Sequence, residues 1–359
     1  MKYALIGCGR ISVNHIAAAQ ANNLEIVALC DVLPAVMQEK AKQFNLPATV
    51  AFYTDYREMI AKEQPELVAI ATESGKHAAI ALDCIEAGVN LIIEKPIALS
   101  TEDAENIIKA AARKNVVVSA CHQNRFNKSI AKIREALEAG RFGRLFHGAA
   151  HIRWNRGESY YTQAPWRGTW EQDGGALMNQ CIHNIDLLCW MMGEAATEVF
   201  AYTDNLNHDY INAEDLGLAV IKFANGAYGL IEGTTNVFPH NLEETLYIFG
   251  AKGTVKAGGK SVNIIEEWNF ADALDNAETV KAQYMENPDN VYGFGHTPLY
   301  EDVIKAIKTG TKPLVDAVAG KAALDMVLAI YKSAAEGRPV KLPLTKCSTL
   351  DFKGRFGDE

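Results

Sequence analysis

Several features that would narrow down the function are missing from this sequence. The seven cysteines are odd in number, scattered and without a C-x-x-C pair, which argues against a disulfide framework or a zinc knot and favours reduced thiols in a cytoplasm. No apolar run approaches the roughly 18 residues of a membrane span. The net charge of −9 comes without a basic block, so we expect no nucleic acid and no membrane surface as partner.

The length and composition favour a globular protein with two domains. The chain has 359 residues, of which 48% are hydrophobic, enough for a substantial core. The N-terminus enters a strand pattern at once, and its apolar stretch is too short for a secretory signal. We find neither an internal repeat nor a low-complexity segment, which argues against solenoid and disordered proteins.

The first third of the sequence alternates apolar strand patterns with amphipathic helical patterns. Strand patterns occupy 3–6, 25–30, 67–71, 91–93 and 116–120, and helical patterns occupy 11–21, 34–44, 77–87 and 102–114. Such alternation predicts a parallel sheet with helices on both faces. We therefore expect an α/β domain over residues 1–122.

The pattern changes near residues 140–143. From residue 145 onward the β signal comes in longer strands with few helices between them, and Asn225 with Gly226 is a hairpin signal. Residues 123–359 are therefore predicted to form an α+β domain with a large, open, mostly antiparallel sheet. We expect this domain to bind substrate and to mediate oligomerisation. The sequence leaves open whether its C-terminal helices pack back on the first domain.

The turn after the first strand, residues 7–12 (GCGRIS), is a G-x-G-x-x-S form of the dinucleotide fingerprint. Glycines at 7 and 9 allow a tight turn in which the backbone approaches a pyrophosphate at the N-terminus of the next helix. Ser12 replaces the third glycine, and its small side chain is compatible with close helix–strand packing. The residues expected to bind the cofactor here are Gly7, Gly9, Arg10 and Ile11.

Asp31 ends the second strand pattern, 22 residues after Gly9. A carboxylate at this spacing accepts hydrogen bonds from the adenosine ribose and would repel the 2′-phosphate of NADP. It would also serve as a helix cap, a role compatible with the first. The fingerprint and Asp31 together predict a Rossmann-type domain that binds NAD rather than NADP, a preference that Arg10 weakens a little.

Residues 91–96, LIIEKP, place a lysine at the end of an apolar strand pattern. Pro96 disfavours the helical backbone conformation at Lys95, so the lysine side chain should project from an extended strand end. Strand ends are where open parallel sheets carry their chemistry. A solvated cap is the simpler interpretation of a lone lysine, but the position of Lys95 after a nucleotide-binding pattern favours a functional one.

The second half contains a Gly-Gly pair followed by a helical pattern, within residues 166–186 (WRGTWEQDGGALMNQCIHNID). The spacing puts Asn179, His183 and Asp186 on one helix face. Histidine is well suited to taking a proton near neutral pH. Two alternatives are a core histidine and a metal site of His183, Asp186 and Asp173. We expect no metal, because no further histidine lies at helical ligand spacing.

Together these motifs resemble the Gfo/Idh/MocA oxidoreductases. The resemblance spans nearly the whole chain in the family's order: Gly7-x-Gly9, Asp31, residues 71–77 (ATESGKH), Glu94-Lys95-Pro96, the Gly174-Gly175 helix with His183-x-x-Asp186, and residues 295–300. It implies NAD(P)-dependent oxidation of sugar or cyclitol hydroxyl groups and oligomer contacts through the open sheet. Residues 166–170 and 177–183 look like the WlbA/WbpB-type branch, whose members oxidise C3 of UDP-N-acetylglucosaminuronic acid and can recycle bound cofactor with 2-oxoglutarate.

The resemblance also implies roles for individual residues. Cofactor contacts would come from Thr72, His77, Glu94, Lys95, Asn124, Arg125, Trp166 and Arg167. Many inositol dehydrogenases of the family carry Asp four residues before the histidine, where this chain has Asn179. Because an amide cannot act as a base, Asn179 can only orient the substrate or the nicotinamide.

We expect Lys95 and His183 to be the catalytic residues. When a carbon gives a hydride to the nicotinamide, its hydroxyl must lose a proton. His183 would take this proton as general base while the ammonium of Lys95 hydrogen-bonds the same oxygen. If burial lowers the pKa of Lys95, the lysine is itself the base, and the sequence does not decide between the two.

Residues 153–161, RWNRGESYY, gather cations and aromatic rings in an otherwise acidic chain. A carboxylate or diphosphate needs such a site, so we expect Arg156 and Tyr161, with Lys95, Asn179 and His183, to bind substrate. The alternative is a solvated loop at an oligomer contact. A nucleotide sugar is thus the first candidate substrate, and a neutral sugar or inositol is the second.

The sequence therefore predicts a cytoplasmic, NAD-dependent sugar dehydrogenase. Its partners would be a small-molecule sugar or nucleotide sugar and further copies of the chain, in a dimer or tetramer. An NAD(P)-binding sensor without activity is the non-enzymatic alternative. A sensor has no reason to keep both Lys95 and His183, so we favour the enzyme.

Overall fold

The computed structural model describes residues 1–193, 195–288 and 291–356. The chain divides into two compact units, one formed by 1–122 with 296–321 and the other by 123–295 with 322–359. The helix His296–Thr309 is thus part of the first unit, a possibility that the sequence left open.

A six-stranded parallel sheet forms the centre of the first unit. Its strands are β1 (Lys2–Ile6), β2 (Glu25–Cys30), β3 (Ala51–Tyr53), β4 (Leu67–Ile70), β5 (Asn90–Ile93) and β6 (Val118–Ala120). They lie in the order β3-β2-β1-β4-β5-β6, and every pairing is parallel. The predicted Rossmann-type sheet is confirmed, and the reversal of strand order between β1 and β4 creates the crevice where such sheets bind ligands.

Helices cover both faces of this sheet, so its central strands are almost wholly apolar and buried. The helices are α1 (Ser12–Ala21), α2 (Pro34–Gln43), α3 (Tyr56–Glu63), α4 (His77–Glu86) and α5 (Thr101–Lys114). Helix α5 begins where its sequence indicated, because the Ser100 side chain accepts a hydrogen bond from the Asp103 N–H. The sequence analysis missed β3, which has only three residues, and α3, which is short and largely polar.

The second unit contains an eight-stranded sheet. Its strands are β7 (Leu145–Arg153), β8 (Ala196–Asp204), β9 (Leu216–Phe223), β10 (Tyr228–Thr234), β11 (Glu243–Gly250), β12 (Gly253–Gly258), β13 (Ile264–Phe270) and β14 (Val340–Lys341). They lie in the order β13-β12-β11-β7-β10-β9-β8-β14, with β7 and β10 parallel and the remaining neighbours antiparallel. The large, mostly antiparallel sheet is confirmed. The sequence analysis missed β13.

The remaining helices are α6 (Lys128–Glu138), α7 (Glu158–Thr162), α8 (Ile182–Met191), α9 (Ala277–Tyr284), α10 (His296–Thr309) and α11 (Ala317–Glu336). Helix α8 packs on β7, β10 and β11 and is entered through a π-helical stretch, Leu177–Cys181. The regular helix predicted after the Gly-Gly pair therefore begins with a wider turn. Helix α8 carries His183, so the sheet below it supports one of the candidate catalytic residues.

Candidate active site

The glycine turn lies at the reversal point of the parallel sheet. Gly7 follows β1 with φ +93°, and a Cβ on it would lie 2.4 Å from the carbonyl oxygen of Ala71, which follows β4. The Gly7 N–H donates to the carbonyl of Cys30 at the end of β2 over 2.8 Å. Only glycine fits here, and the close approach leaves the turn free of side-chain bulk for a pyrophosphate.

Asp31 is fastened to this turn. Its carboxylate accepts hydrogen bonds from the backbone N–H of Cys8 over 2.8 Å and of Leu33 over 2.9 Å. The side chain is half-buried, and a carboxylate has about four acceptor positions, so two remain for a ribose diol. The structure thus brings together Gly7, Gly9 and Asp31, next to the half-buried Ile11 and the exposed Arg10. A dinucleotide fits this arrangement.

Lys95 lies where the sequence placed it, just past the end of β5. It is half-buried, its peptide bond to Pro96 is cis, and its N–H donates to Oε2 of Glu94 over 3.1 Å. Glu94 is 7% exposed, and its Oε1 lies 3.0 Å from Nε2 of His15. The glutamate therefore faces the interior of the first unit and contacts Lys95 through the backbone.

His77, an expected cofactor contact, is buried inside the first unit. Its Nδ1 lies 2.8 Å from the carbonyl oxygen of Pro96 and its Nε2 lies 3.1 Å from that of Thr72. The ring thus bridges the segments that follow β4 and β5. Thr72 beside it is half-buried and keeps part of its surface for a ligand.

In the second unit, the Gly-Gly pair is required by a buried carboxyl group. Gly174 and Gly175 both have φ +91°, and a Cβ on Gly175 would lie 1.7 Å from Oε2 of Glu214. Oε1 of Glu214 accepts hydrogen bonds from the Leu177 N–H over 2.6 Å and the Tyr331 hydroxyl over 2.9 Å. Burial raises the pKa of Glu214 well above its usual range. No pattern in the sequence pointed to Glu214, which holds the start of the stretch that leads to His183.

Asn179 and His183 lie on the π-helical stretch and the first turn of α8, and both are half-buried. The Asn179 amide donates to Oδ1 of Asp173 over 2.5 Å, and Oδ2 of Asp173 accepts from the Gly168 N–H over 2.8 Å. Asp173 therefore orients the Asn179 amide.

Arg125 and Asp186 form a buried ion pair. Their side chains are 7% and 2% exposed, with Nε–Oδ2 and Nη2–Oδ1 distances of 2.7 and 2.6 Å. The Trp190 ring lies 4.7 Å from the guanidinium carbon. This ion pair joins α8 to the segment that carries Arg125, whose contact with the cofactor stays a prediction.

A cluster of arginines and aromatic rings follows β7. The guanidinium of Arg167 lies 4.1 Å from the ring centre of Tyr160, and that of Arg156 lies 5.2 Å from it and 4.7 Å from that of Trp154. The Gln180 amide donates to the Tyr160 hydroxyl over 3.1 Å. Two half-buried cations thus meet on one ring beside the stretch that carries Asn179, as a site for an anionic group requires.

Tyr161 and Trp166 lie on either side of this cluster. Tyr161 is 5% exposed, its hydroxyl lies 3.3 Å from Oγ1 of Thr235, and its ring packs on His208. Trp166 is half-buried and lies 5.5 Å from the Arg167 guanidinium. Of the two adjacent tyrosines it is Tyr160, which the sequence analysis did not select, that carries the arginines, because α7 turns Tyr161 toward the core.

Glu244 is a further residue that the sequence analysis missed. It is 3% exposed, and its Oε1 accepts from the Asn124 amide over 3.3 Å, so Asn124 is also internal. Burial raises the pKa of Glu244 to about 8, although Asn184, Arg156 and Asn124 oppose the shift. The strand pattern held a signal, since Glu244 shares the inner strand face with Leu246 and Ile248.

Among the described residues, no helix has both the length and the apolar character needed to cross a membrane.

Comparison with known proteins gives the family. Residues 1–122 match the NAD-binding Rossmann-fold domain of the Gfo/Idh/MocA oxidoreductases, and residues 134–342 match the C-terminal alpha/beta domain of the same family. Two solved structures are similar over 96% of this chain. They are the WlbA dehydrogenases of Bordetella pertussis (37% identity, 98% of that chain, TM-score 0.88) and Chromobacterium violaceum (34% identity, 96% of that chain, TM-score 0.86), both in complex with NADH and UDP-GlcNAcA.

Inositol dehydrogenases are more distant relatives. The myo-inositol 2-dehydrogenase of Thermotoga maritima is 25% identical, over 95% of this chain and 98% of that protein. The chain belongs to the Gfo/Idh/MocA family and is an NAD-dependent dehydrogenase of the sugar type.

Proposed function

We propose that this enzyme oxidises C3 of UDP-N-acetylglucosaminuronic acid or of a closely related nucleotide sugar. The observation that carries the proposal is the pair of half-buried guanidinium groups, Arg156 and Arg167, on the ring of Tyr160. An anionic sugar supplies the negative charge that such a pair binds, whereas a neutral polyol does not. The similarity to two WlbA dehydrogenases in complex with UDP-GlcNAcA supports the same substrate class.

The proposed chemistry divides the work between the nicotinamide and two side chains. When bound along Gly7, Gly9 and Asp31, NAD supplies the hydride acceptor. Nε2 or Nδ1 of His183 takes the proton of the substrate hydroxyl, and the Lys95 ammonium donates a hydrogen bond to the oxygen that loses it. The amide of Asn179, oriented by Asp173, directs the sugar. In this scheme both catalytic residues act on the substrate hydroxyl group, and neither acts on the rest of the sugar ring.

A neutral sugar or inositol remains the second candidate. It is favoured by the 25% identity to a myo-inositol 2-dehydrogenase over almost the full length. Against it stands Asn179, since many inositol dehydrogenases of the family carry an aspartate there.

The test is NADH formation by purified enzyme with UDP-N-acetylglucosaminuronic acid, UDP-N-acetylglucosamine, myo-inositol or glucose. In a parallel series 2-oxoglutarate is added to recycle NADH that stays bound to the enzyme. An enzyme that does not release NADH then still turns over and is detected. We expect activity with the uronic acid and at least about 10-fold less with UDP-N-acetylglucosamine, which lacks the carboxylate. Activity confined to myo-inositol or glucose would overturn the substrate assignment.

Arg156 offers a sharper test of the anionic group. Arg156→Gln should raise KM for the uronic acid by about 10-fold or more, because a charge-assisted hydrogen bond is lost. The matched control is Arg144→Gln, an exposed arginine over the Phe146 ring, which should leave KM unchanged. Equal KM values for Arg156→Gln and wild type would place the carboxylate elsewhere.

We also propose that the chain forms a homo-oligomer through the outer face of the eight-stranded sheet. Large apolar side chains on that face are 43–68% exposed: Tyr202, Leu218, Val220, Tyr228 and Leu230. Leu230 and Tyr202 are cross-strand neighbours of Val220 and Leu218, so the apolar surface is continuous, and a second copy of the same face would cover it. Light scattering should show a dimer or tetramer, and Val220→Glu should dissociate it. A monomeric wild type would refute this part.

The proposed compartment is the cytoplasm. The seven cysteines are free thiols, and six of them are buried. Free thiols persist in a reducing compartment, which supports a cytoplasmic location. Fractionation of source cells should recover the enzyme with the cytosolic markers, and recovery with secreted proteins would contradict this.

A further inference from the structure

A chain of buried hydrogen bonds lies behind the strand end that carries Lys95. The hydroxyl of Tyr3 lies 2.9 Å from that of Tyr300, which lies 2.7 Å from Nδ1 of His15. On the other side of the ring, Nε2 of His15 lies 3.0 Å from Oε1 of Glu94. Tyr3, His15 and Tyr300 are 0% exposed and Glu94 is 7% exposed. All belong to the first unit, although Tyr3 and Tyr300 are 297 residues apart in sequence.

The chemistry of the groups gives the chain a direction. A carboxylate oxygen only accepts, so His15 donates through Nε2–H to Glu94. With a neutral His15 ring, Nδ1 accepts from the hydroxyl of Tyr300, and the Tyr300 oxygen in turn accepts from Tyr3. Burial raises the pKa of both tyrosines far above neutrality, so both hydroxyl protons stay in place. In this neutral form every hydrogen in the chain points toward Glu94.

Glu94 is the anionic end of this chain. Burial alone would raise the pKa of Glu94, but the hydrogen bond from His15 and the nearby His296, whose Nε2 lies 3.6 Å from Oε1, hold it well below its usual range. Burial lowers the pKa of His296 and raises that of the Cys121 thiol, so both are neutral near pH 7. The titratable groups that face Glu94 from the surrounding elements are His15 on α1, His77 on α4, Lys95 after β5, Cys121 after β6, and His296 and Tyr300 on α10.

Both oxygens of Glu94 are used, since Oε1 accepts from His15 and Oε2 from the backbone N–H of Lys95. A carboxylate next to a lysine stabilises the ammonium form and opposes the effect of burial on the lysine. We propose that the chain Tyr3–Tyr300–His15–Glu94 is a positioning element that fixes the backbone at Lys95 and keeps its ammonium charged. The proposal rests on the proposed function and deepens it, because a charged Lys95 donates a hydrogen bond and leaves His183 as the base.

The test that needs no substrate is the pKa of Lys95 itself. Lysines are converted to their ¹³C-dimethyl form, and the Lys95 signal is identified by its loss in Lys95→Arg. We expect a wild-type pKa of about 10 or higher and a fall of at least about one pH unit in Glu94→Gln. Tyr300→Phe should give a smaller fall, because only the far end of the chain is removed. A wild-type pKa below 7, or the same value in Glu94→Gln, would overturn the proposal.

A matched control separates this effect from the general loss of a tyrosine hydrogen bond. The Tyr56 hydroxyl donates to Asp83 over 2.7 Å in the same unit but outside the chain. Tyr56→Phe should lower Tm without moving the Lys95 signal. If Glu94→Gln does not fold, Tyr300→Phe against Tyr56→Phe decides the question, and equal Lys95 pKa values in the two would count against the proposal.

Kinetics give a second readout once a substrate is known. Glu94→Gln should lower kcat by about 10-fold or more and shift the alkaline limb of the kcat profile to lower pH. Its KM for NAD should change by less than about 3-fold. A wild type inactive on every sugar tested refutes the proposed function, but it leaves the pKa measurement as an independent test of the chain.

Metal analysis of the purified protein tests a competing explanation, a metal site formed by the same residues. The ligating atoms of His15, Glu94, Cys121 and His296 lie within 4.8 Å of one another, a set that could hold zinc. The same two atoms, Nε2 of His15 and Oε1 of Glu94, are joined by the hydrogen bond of the chain. We expect no stoichiometric metal in purified protein. One equivalent of zinc, with loss of stability on chelation, would replace the hydrogen-bond chain by a metal site.

Discussion

The Asn124 amide donates a hydrogen bond to Glu244 over 3.3 Å, inside the second unit. The two residues are 2% and 3% exposed, so the carboxyl group is cut off from bulk water. Burial raises the pKa of Glu244 to about 8. Near pH 7 the buried group is therefore mostly protonated and neutral, close to α8 and the helical turn of His183.

This makes the stability dependent on pH in a stated direction. Between the unfolded pKa of about 4.5 and the folded value of about 8, the native state binds more protons, so stability falls as pH rises. Glu244→Gln should remove this dependence. The Tm difference, variant minus wild type, should become more positive from about pH 5 to about pH 8. The control is Glu58→Gln at an exposed position. If the Tm difference from wild type depended on pH in the same way in both variants, the assignment would be disproved.

Asp31 should control the choice of cofactor. Asp31→Ala removes the carboxylate that repels a 2′-phosphate, so the preference for NAD over NADP in kcat/KM should fall by about 10-fold or more. Some loss of Tm is expected too, because Asp31 also holds the Cys8 and Leu33 N–H groups. Asp55→Ala is the control, since Asp55 caps α3 by accepting from the Arg57 N–H. It should lose stability with no change in cofactor preference.

Lys95 and His183 should be needed for turnover and not for cofactor binding. We expect Lys95→Met and His183→Ala each to lower kcat by about 10²-fold or more, because each loses a group that acts on the transferred proton. NADH affinity, measured by fluorescence, should change by less than about 10-fold. The exposed His240→Ala is the control for the histidine. A near-normal kcat in either variant would contradict the mechanism.

Gly175 should tolerate no side chain. In Gly175→Ala the new methyl group meets Glu214 and must adopt φ +91°, so unfolding should become easier by about 2–6 kcal/mol. The control is Gly226→Ala, where φ is +82° and no atom lies within 4 Å of the added Cβ. That variant isolates the backbone strain, at about 1–3 kcal/mol. If urea unfolding showed the same decrease in the free energy of unfolding for both variants, Glu214 would move aside without an energetic cost.

The sequence predicted those parts of the site that depend on local order along the chain. A glycine turn after an apolar strand, an acid 22 residues later and a lysine past another apolar strand each follow from one segment. The parallel order of the sheet then brings Gly7, Asp31 and Ala71 to one edge. The alternation of strands and helices in the first third was enough to predict that sheet, because burial on both faces demands apolar runs.

Other contacts were not visible in the sequence because a side chain's partners come from distant segments. His77 bridges two backbone carbonyls, and Arg125 pairs with Asp186, 61 residues away. Tyr160 rather than Tyr161 carries the arginines, since a short helix decides which of two neighbours turns inward.

The sequence by itself determined the two kinds of sheet and the glycine turn after the first strand, because strand periodicity and glycine requirements are local properties. The catalytic roles of Lys95 and His183 stay predictions of the sequence. Tertiary structure alone decided which polar groups are buried together. Glu94, Glu214 and Glu244 look alike in sequence, but one is held ionised by histidines and the other two are left to the effect of burial. Charge states are set by neighbours that folding brings from other parts of the chain.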